Sequence, residues 1–170
     1  MDGVHPQHNS RVAYGWFRKG SKAILRSNTG RQRLNINGAL NANTLDVTIK
    51  VSDTINAQST LELFKQVEEK YSRSKRIVIV CDNALYYRSK LVQEYLKSSR
   101  IELRFLPPYA PNLNLIERLW RFMNKQVRYN KYYDKFLDFK KGILDFFDNI
   151  GLYHEKLKSL LVKKFHIIKL

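Results

Sequence analysis

The sequence predicts a single-domain α/β protein with a mixed β-sheet flanked by helices. Three observations support this fold class. Polar and apolar residues alternate in two segments of the first 52 residues, strand-like and helix-like segments alternate from residue 53 to 170, and 44% of the 170 residues are hydrophobic. A chain of this length and composition buries a core large enough to fold alone.

The first 52 residues predict an antiparallel β meander. Residues 31–37 and 44–51 alternate polar and apolar side chains, and residues 23–26 are predicted as a further strand. Gly30 and Gly38 are expected to lie in the turns between these strands.

From residue 53 the pattern changes to alternating helices and strands. Apolar residues recur at helical spacing between residues 61 and 71, with Ser59 or Thr60 as the expected cap. Residues 76–81 form a β-branched run typical of a strand buried on both faces. A helix over residues 88–98 and a strand over residues 101–105 follow.

The last third of the chain is predicted to be helical. The prolines of residues 107–111 require an extended loop, after which Asn112 is expected to cap a helix over residues 113–128. Further helices are predicted over residues 133–147 and 155–165. A meander followed by strand–helix alternation is the layout of a ribonuclease H-like fold.

The charge balance predicts a polyanionic partner. The chain has 31 Lys and Arg against 15 Asp and Glu, a formal net charge of +16. Such an excess favours nucleic acid or an anionic membrane surface. Apolar runs are far shorter than the roughly 20 residues of a spanning helix, and the N-terminus lacks a signal-peptide pattern. With Cys81 as its one cysteine, the chain has no intrachain disulfide. We therefore expect a cytoplasmic protein that binds DNA or RNA.

Three acidic residues stand alone in basic surroundings and predict metal chemistry. Asp2 is the only acid before Asp46, Asp82 ends the apolar run, and Glu117 is the only acid between Glu102 and Asp134. Isolated carboxylates repel phosphate unless a divalent cation lies between them. Mg²⁺ prefers oxygen ligands. In an in-line displacement at a phosphate, two such ions about 3.5–4 Å apart activate the attacking oxygen and stabilise the leaving oxygen.

Each acid also has an ordinary interpretation. Glu117, at the edge of the apolar face of its helix, pairs with Arg121 at i+4 in that alternative. Asp82 followed by Asn83 is a common turn and cap pair. Asp2 near the terminus is then mobile and solvated.

Two histidines lie close to the first acid. His5 and His8 are candidates for metal ligands or for phosphate contacts.

Several strings of the sequence resemble the catalytic domain of DDE transposases, in the bacterial insertion-sequence branch of the mariner superfamily. They are the segments 2–8, 14–20, 81–84 and, most specifically, Leu-Pro-Pro-Tyr-Ala-Pro-Asn-Leu-Asn-Leu-Ile-Glu-Arg-Leu-Trp at 106–120. As in that branch, 34 residues separate the second and third acids. The resemblance covers nearly the whole chain.

The resemblance implies a ribonuclease H-like fold and a two-metal site. In it Asp2, Asp82 and Glu117 are the catalytic residues and the ligands of two Mg²⁺ ions, which Mn²⁺ can replace. Asn83 and Asn114 match motif positions that orient the acids. The implied reaction is hydrolytic nicking at element ends followed by attack of the freed 3′-hydroxyl on target DNA, close to the bacterial nucleoid.

Basic residues are expected to contact DNA phosphates around this site, so that affinity depends strongly on salt. They are Arg18, Lys19, Lys22, Arg88, Lys90, Arg118, Arg121, Lys125, Arg128 and Lys131.

Two departures from the family pattern leave alternatives open. Only Met1 stands where the family has an apolar strand before the first acid, so we expect a truncated central strand. The N-terminal helix-turn-helix region of longer relatives is absent from the sequence. The expected partners are DNA and either a second copy of the chain, as a homodimer, or a separately encoded N-terminal half. A catalytically inactive DNA-binding fragment is one alternative, and a ribonuclease H-like nuclease is another.

Overall fold

A computed structural model of the chain describes residues 1–16, 18–20, 22, 24–108 and 113–162. It confirms the α/β class. The five strands are β1 (Asp2–Val4), β2 (Asn35–Leu40), β3 (Val47–Ser52), β4 (Ile77–Cys81) and β5 (Ile101–Phe105). The five α-helices of the described residues are α1 (Ala57–Lys70), α2 (Lys90–Leu96), α3 (Leu115–Val127), α4 (Phe136–Asp148) and α5 (His154–Leu160). Short 3-10 turns span Leu85–Arg88 and Ile150–Tyr153.

The strands form two hydrogen-bonded sheets. β1, β2 and β3 are antiparallel in that order, whereas β4 and β5 are parallel. One bond, from the Met1 amino group to the Val80 carbonyl at 2.7 Å, connects β1 with β4. The predicted mixed sheet therefore has its parallel and antiparallel parts side by side, and they are joined at Met1, directly before the short strand β1.

The buried side chains form two hydrophobic clusters. Residues of α3, α4 and α5 cover the antiparallel sheet, with Ile36, Leu119 and Phe139 among the buried side chains. Residues of α1 and α2 cover the parallel sheet around Phe64 and Ile79, and α1 also packs against β2 and β3. We call these the antiparallel half and the parallel half.

The meander differs from the prediction in one strand. Its first strand is β1, because Asp2–Val4 pairs with Ile36–Gly38, and residues 24–26 are not in a strand. Residue 23 lies outside the described residues. Gly38, predicted as a turn residue, lies inside β2 opposite Asp2.

The start of α1 is set by two side chains that the hydrophobic pattern does not identify. Asn56 caps α1: its Oδ1 accepts a hydrogen bond from the Ser59 backbone N–H, and the Ser59 hydroxyl oxygen accepts one from the Asn56 N–H. Ser59, predicted as the cap, is thus the reciprocal partner. Asn112, the predicted cap of the helix over residues 113–128, lies outside the described residues. Asn114 holds the N-cap position of this helix, α3.

No helix among the described residues has the length and apolar character needed to cross a bilayer.

Candidate functional site

Asp2 lies on β1, held between the sheet and helix α3. Its backbone is paired with Gly38 of β2. The indole Nε1–H of Trp120 donates a hydrogen bond to Asp2 Oδ2 at 3.1 Å. The carboxyl group is half-buried, and the terminal acid is therefore an ordered part of the fold.

Asp82 directly follows β4, at the carboxyl end of the parallel strands. Its Oδ1 accepts a hydrogen bond from the Ala84 N–H at 3.2 Å, so the side chain closes a turn. Because the Met1 amino group bonds Val80, Asp2 lies next to this end of β4. The site position typical of α/β sheets thus contains both aspartates.

Glu117 lies in the first turn of α3. Its N–H donates to the Asn114 carbonyl at 3.2 Å, and the Asn114 Nδ2 group donates to the Met1 carbonyl at 3.4 Å. The start of α3 is therefore attached to the residue before Asp2. Three sequence-distant elements meet at this point.

The negative charge of Asp82 acts on both of the other acids. Burial raises the pKa of Asp2 to about 6, with the negative charge of Asp82 adding to the rise and the N–H groups of Gly3 and Trp120 opposing it. Burial also raises the pKa of Glu117, where Asp82 again adds to the rise and Arg121 opposes it. The charge of Asp82 thus raises the pKa of both other carboxyl groups.

The residues fit a divalent cation in chemistry, although their side chains are not arranged as a closed metal site. Within the described part of the chain, no three His, Cys, Asp or Glu side chains are close enough together to hold a metal ion. All three acids are partly exposed oxygen donors whose mutual repulsion a cation would relieve. Hard cations such as Mg²⁺ and Mn²⁺ match this donor set.

Asn83 and Arg88 connect the ends of the two parallel strands. Asn83 Nδ2 donates to the Leu106 carbonyl at 2.7 Å, and an Arg88 guanidinium N–H donates to Asn83 Oδ1 at 2.9 Å. The Arg88 guanidinium also lies 4.2 Å from the centre of the Phe105 ring. These contacts fix the backbone that carries Asp82.

Tyr86 is a neighbour of the acids that the sequence reasoning did not single out. Its hydroxyl lies close to Gly3, 3.7 Å from where a Cβ would stand. Burial raises the pKa of Tyr86 to about 12, and the charges of Asp82 and Asp2 contribute. The phenol is therefore a hydrogen-bond donor at neutral pH. Only its adjacency to the Asp82 motif could have identified it.

Most of the predicted phosphate contacts are on the surface. Eight are exposed and one, Arg118, is half-buried with an N–H donating to the Val162 carbonyl at 2.9 Å. The exposed ones are Arg18, Lys19, Lys22, Arg88, Lys90, Arg121 and Lys125. Lys131 is exposed too, with its Nζ donating to the Gln126 carbonyl at 2.7 Å.

Arg128 does not fit the predicted role. It is only 6% exposed, donates to Asn124 Oδ1 at 2.8 Å and to Asn9 Oδ1 at 2.5 Å, and lies 6.0 Å from the Phe139 ring centre. The helical wheel placed Arg128 on the polar face, but the segment that follows β1 covers this end of α3. Arg128 therefore joins two parts of the fold and does not offer its charge to a phosphate.

The two histidines are held by protein partners. His5 Nδ1 is 2.7 Å from Asn35 Oδ1. His8 is buried, with its Nε2 2.8 Å from the Tyr133 carbonyl and its ring against Phe139. The suggestion that His8 is a metal ligand or phosphate contact is therefore wrong.

Comparison with known proteins identifies relatives of the chain. A family model described as "DDE superfamily endonuclease" matches residues 1–140. The insertion element IS630 uncharacterized 39 kDa protein of Shigella sonnei is 22% identical over 151 residues, 88% of this chain and 44% of that protein. The Tc3 transposase of Caenorhabditis elegans is 37% identical over 102 residues, 59% of this chain and 30% of that protein. The chain thus spans less than half the length of either relative.

Solved structures share the fold. A Mos1 transposase paired-end complex with the left transposon end matches with a TM-score of 0.66 at 17% identity, covering 97% of this chain and 55% of that one. The catalytic domain of Mos1 mariner transposase matches with a TM-score of 0.56 at 18% identity, covering 76% of this chain and 70% of that one. The predicted ribonuclease H-like fold is confirmed by this likeness.

Proposed function

We propose that this chain, which belongs to the DDE superfamily endonuclease family, is the catalytic domain of an insertion-sequence transposase that cleaves DNA and joins the freed 3′ end to target DNA. The observation that carries the proposal is the meeting of β1, the end of β4 and the start of α3, where Met1 bonds both Val80 and Asn114 and where Asp2 and Glu117 each experience the charge of Asp82. The relatives named as transposase and insertion-element protein support the same reaction class.

In this proposal the three carboxylates hold two Mg²⁺ or Mn²⁺ ions. The ions, when bound, activate the attacking oxygen and stabilise the leaving oxygen of the phosphodiester. Solved Mos1 mariner paired-end complexes with Mn and with Mg are structural neighbours, which supports divalent metals here. Asn83 and Asn114 serve as positioning residues, because they hold the backbones on either side of the acids.

DNA is the proposed partner, and exposed basic residues near the acids provide the phosphate contacts. Arg121 and Lys125 follow Glu117 on α3, and Arg88 and Lys90 lie beyond Asp82. If the chain neutralises about six phosphates, raising the salt from 50 to 200 mM should reduce its DNA affinity on the order of a thousandfold. Assembly as a homodimer or with a separately encoded N-terminal half, and association with the nucleoid, belong to the same proposal.

The proposal is tested by nicking of a supercoiled plasmid that carries the element ends, with Mn²⁺ present. Glu117→Gln keeps the size of the side chain but removes its charge. We expect nicking to fall by about a thousandfold, equivalent to several kcal/mol of transition-state stabilisation, with DNA retention mostly intact. Glu155→Gln, an exposed acid of α5, is the matched control and should nick normally. Nicking retained by Glu117→Gln would refute the assignment.

One observation favours a second function, that of a non-catalytic DNA-binding fragment. Within the described residues, no three His, Cys, Asp or Glu side chains are close enough together to form a closed metal site. Calorimetric titration with Mn²⁺ separates the two functions. Absence of binding, even with DNA present, would favour the fragment, whereas nicking without strand-transfer products would favour a ribonuclease H-like nuclease.

A further inference from the structure

We propose that Trp120 is a positioning residue of the site: its indole N–H holds the Asp2 carboxylate in the orientation needed for metal binding, and Gly38 is the residue that makes this contact possible. The inference rests on the proposed function for the metal, but the contact itself exists without it. Three observations carry the proposal.

The first observation is the hydrogen bond itself. Trp120 Nε1 lies 3.1 Å from Asp2 Oδ2, and the indole N–H has no acceptor capacity. A carboxylate has about four lone-pair positions on its two oxygens, so one donor restricts its rotation and leaves positions for a cation. Partners of this kind fix metal-binding side chains in other proteins, where their loss typically reduces metal affinity 10–100-fold.

The second observation is how firmly the indole is held. Trp120 is only 4% exposed and belongs to the core of the antiparallel half. Its ring packs edge-on against Phe147 with centroids 6.1 Å apart. The donor is therefore a fixed part of the core, and it restricts the orientation of the Asp2 carboxylate.

The third observation is the space provided by Gly38. This glycine lies opposite Asp2 in the β1–β2 register. A Cβ there would stand 2.5 Å from Cη2 and 2.9 Å from Cζ2 of Trp120. Because real Cβ atoms do not approach this closely, any larger residue would push the indole away from Asp2. Gly38 has no positive φ, so its function is to provide room and not a turn.

The contact also couples two of the acids. Trp120 lies three residues after Glu117 on α3, so both belong to the same helical surface facing β1. A shift of α3 that moves Glu117 also moves the donor of Asp2.

The test uses the two tryptophans as paired probes, since Trp16 is fully exposed and Trp120 is buried. Their two indole N–H signals are recorded by ¹H–¹⁵N NMR on the full chain without metal. We expect Asp2→Asn to move the Trp120 signal and leave the Trp16 signal unchanged. An unmoved Trp120 signal would overturn the contact, whatever the fate of the proposed function.

Metal affinity is then measured by calorimetry with Mn²⁺ alone. Trp120→Phe, which keeps a ring but removes the donor, should bind Mn²⁺ at least about tenfold more weakly, and Gly38→Ala should show a similar loss. Trp16→Phe and Gly151→Ala, where an added Cβ meets nothing within 4 Å, are the matched controls and should bind normally. Thermal unfolding confirms that each variant is folded.

The two failures are distinguishable. If the unaltered chain binds no Mn²⁺, the proposed metal site fails while the NMR result still decides the Trp120 contact. Wild-type affinity in a folded Trp120→Phe variant would overturn the positioning role alone.

Discussion

The antiparallel half and the parallel half hold their acids in different ways. In the antiparallel half, Asp2 is bonded to the core residue Trp120, and Glu117 is on the same helix as that residue. In the parallel half, Asp82 accepts a hydrogen bond from Ala84 in its own turn. The acids of one half are thus built into its packing, whereas Asp82 depends on the end of β4. We therefore expect a substitution of Asp82 to change activity with little change in stability, and a substitution of Asp2 to change both.

The largest expected effect comes from Asp82→Asn. An asparagine can keep the turn by accepting the Ala84 N–H, so we expect a change in unfolding free energy within about 0.5 kcal/mol. Loss of the charge that both other acids experience should reduce nicking of the plasmid by about a thousandfold. Parallel chemical denaturation and nicking assays check this. Substantial destabilisation would show that Asp82 is as deeply built into its half as Asp2.

Asp2→Asn should change stability as well as activity. Burial raises the pKa of Asp2 to about 6, above the unfolded value near 3.8, so the native state binds more protons between these pH values. Metal-free stability from this group is therefore greatest at low pH and is lost as pH rises from about 4 to 6. At pH 7 the Asn variant should be more stable by on the order of 1–2 kcal/mol.

The pH dependence of the difference between the two chains isolates this group, since other titrating residues are common to both. Urea denaturation at pH 4, 5, 6 and 7 without metal provides the measurement. A difference that does not grow with pH would mean that the Asp2 carboxylate is not desolvated as described. Added Mn²⁺ should reverse the order of stability, because only the unaltered chain gains the full binding energy.

The smallest expected effects distinguish the surface of α3 from its packed end. Arg121→Ala should weaken plasmid binding several-fold and lower the salt slope by about one, without a change in stability. Arg128→Ala should instead cost about 1–3 kcal/mol, because the buried contacts with Asn9 and Asn124 are lost. Filter binding over a range of salt and thermal denaturation separate the two. If both substitutions lowered the salt slope of DNA binding equally, Arg128 would contact a DNA phosphate after all, which would contradict its buried structural role.

The sequence identified elements whose pattern is continuous and local. The apolar run before Asp82 and the alternation at residues 101–105 correspond to β4 and β5, since a buried parallel pair needs little more than such runs. No strand forms at residues 24–26 of the strand predicted over 23–26, and β1 takes the place beside β2. β1 is only three residues long and has no alternating pattern, so the local sequence does not indicate a strand there.

The candidate acids can be identified from the sequence, whereas the contacts that support them cannot. Asp2, Asp82 and Glu117 stand out by charge isolation and by motif, and these signals depend on the sequence alone. Trp120 over Gly38 depends on two elements 82 residues apart meeting at one register. Arg128 shows the same limit, because a helical wheel does not reveal that a distant segment covers one end of the polar face.

Anomalous diffraction from crystals of the chain grown with Mn²⁺ tests the shared site most directly. We predict one or two manganese peaks between the parallel and antiparallel halves, each within about 2.0–2.2 Å of carboxylate oxygens and together touching the side chains at positions 2, 82 and 117. Manganese bound elsewhere, or bound by Asp82 without either of the other two acids, would contradict the account.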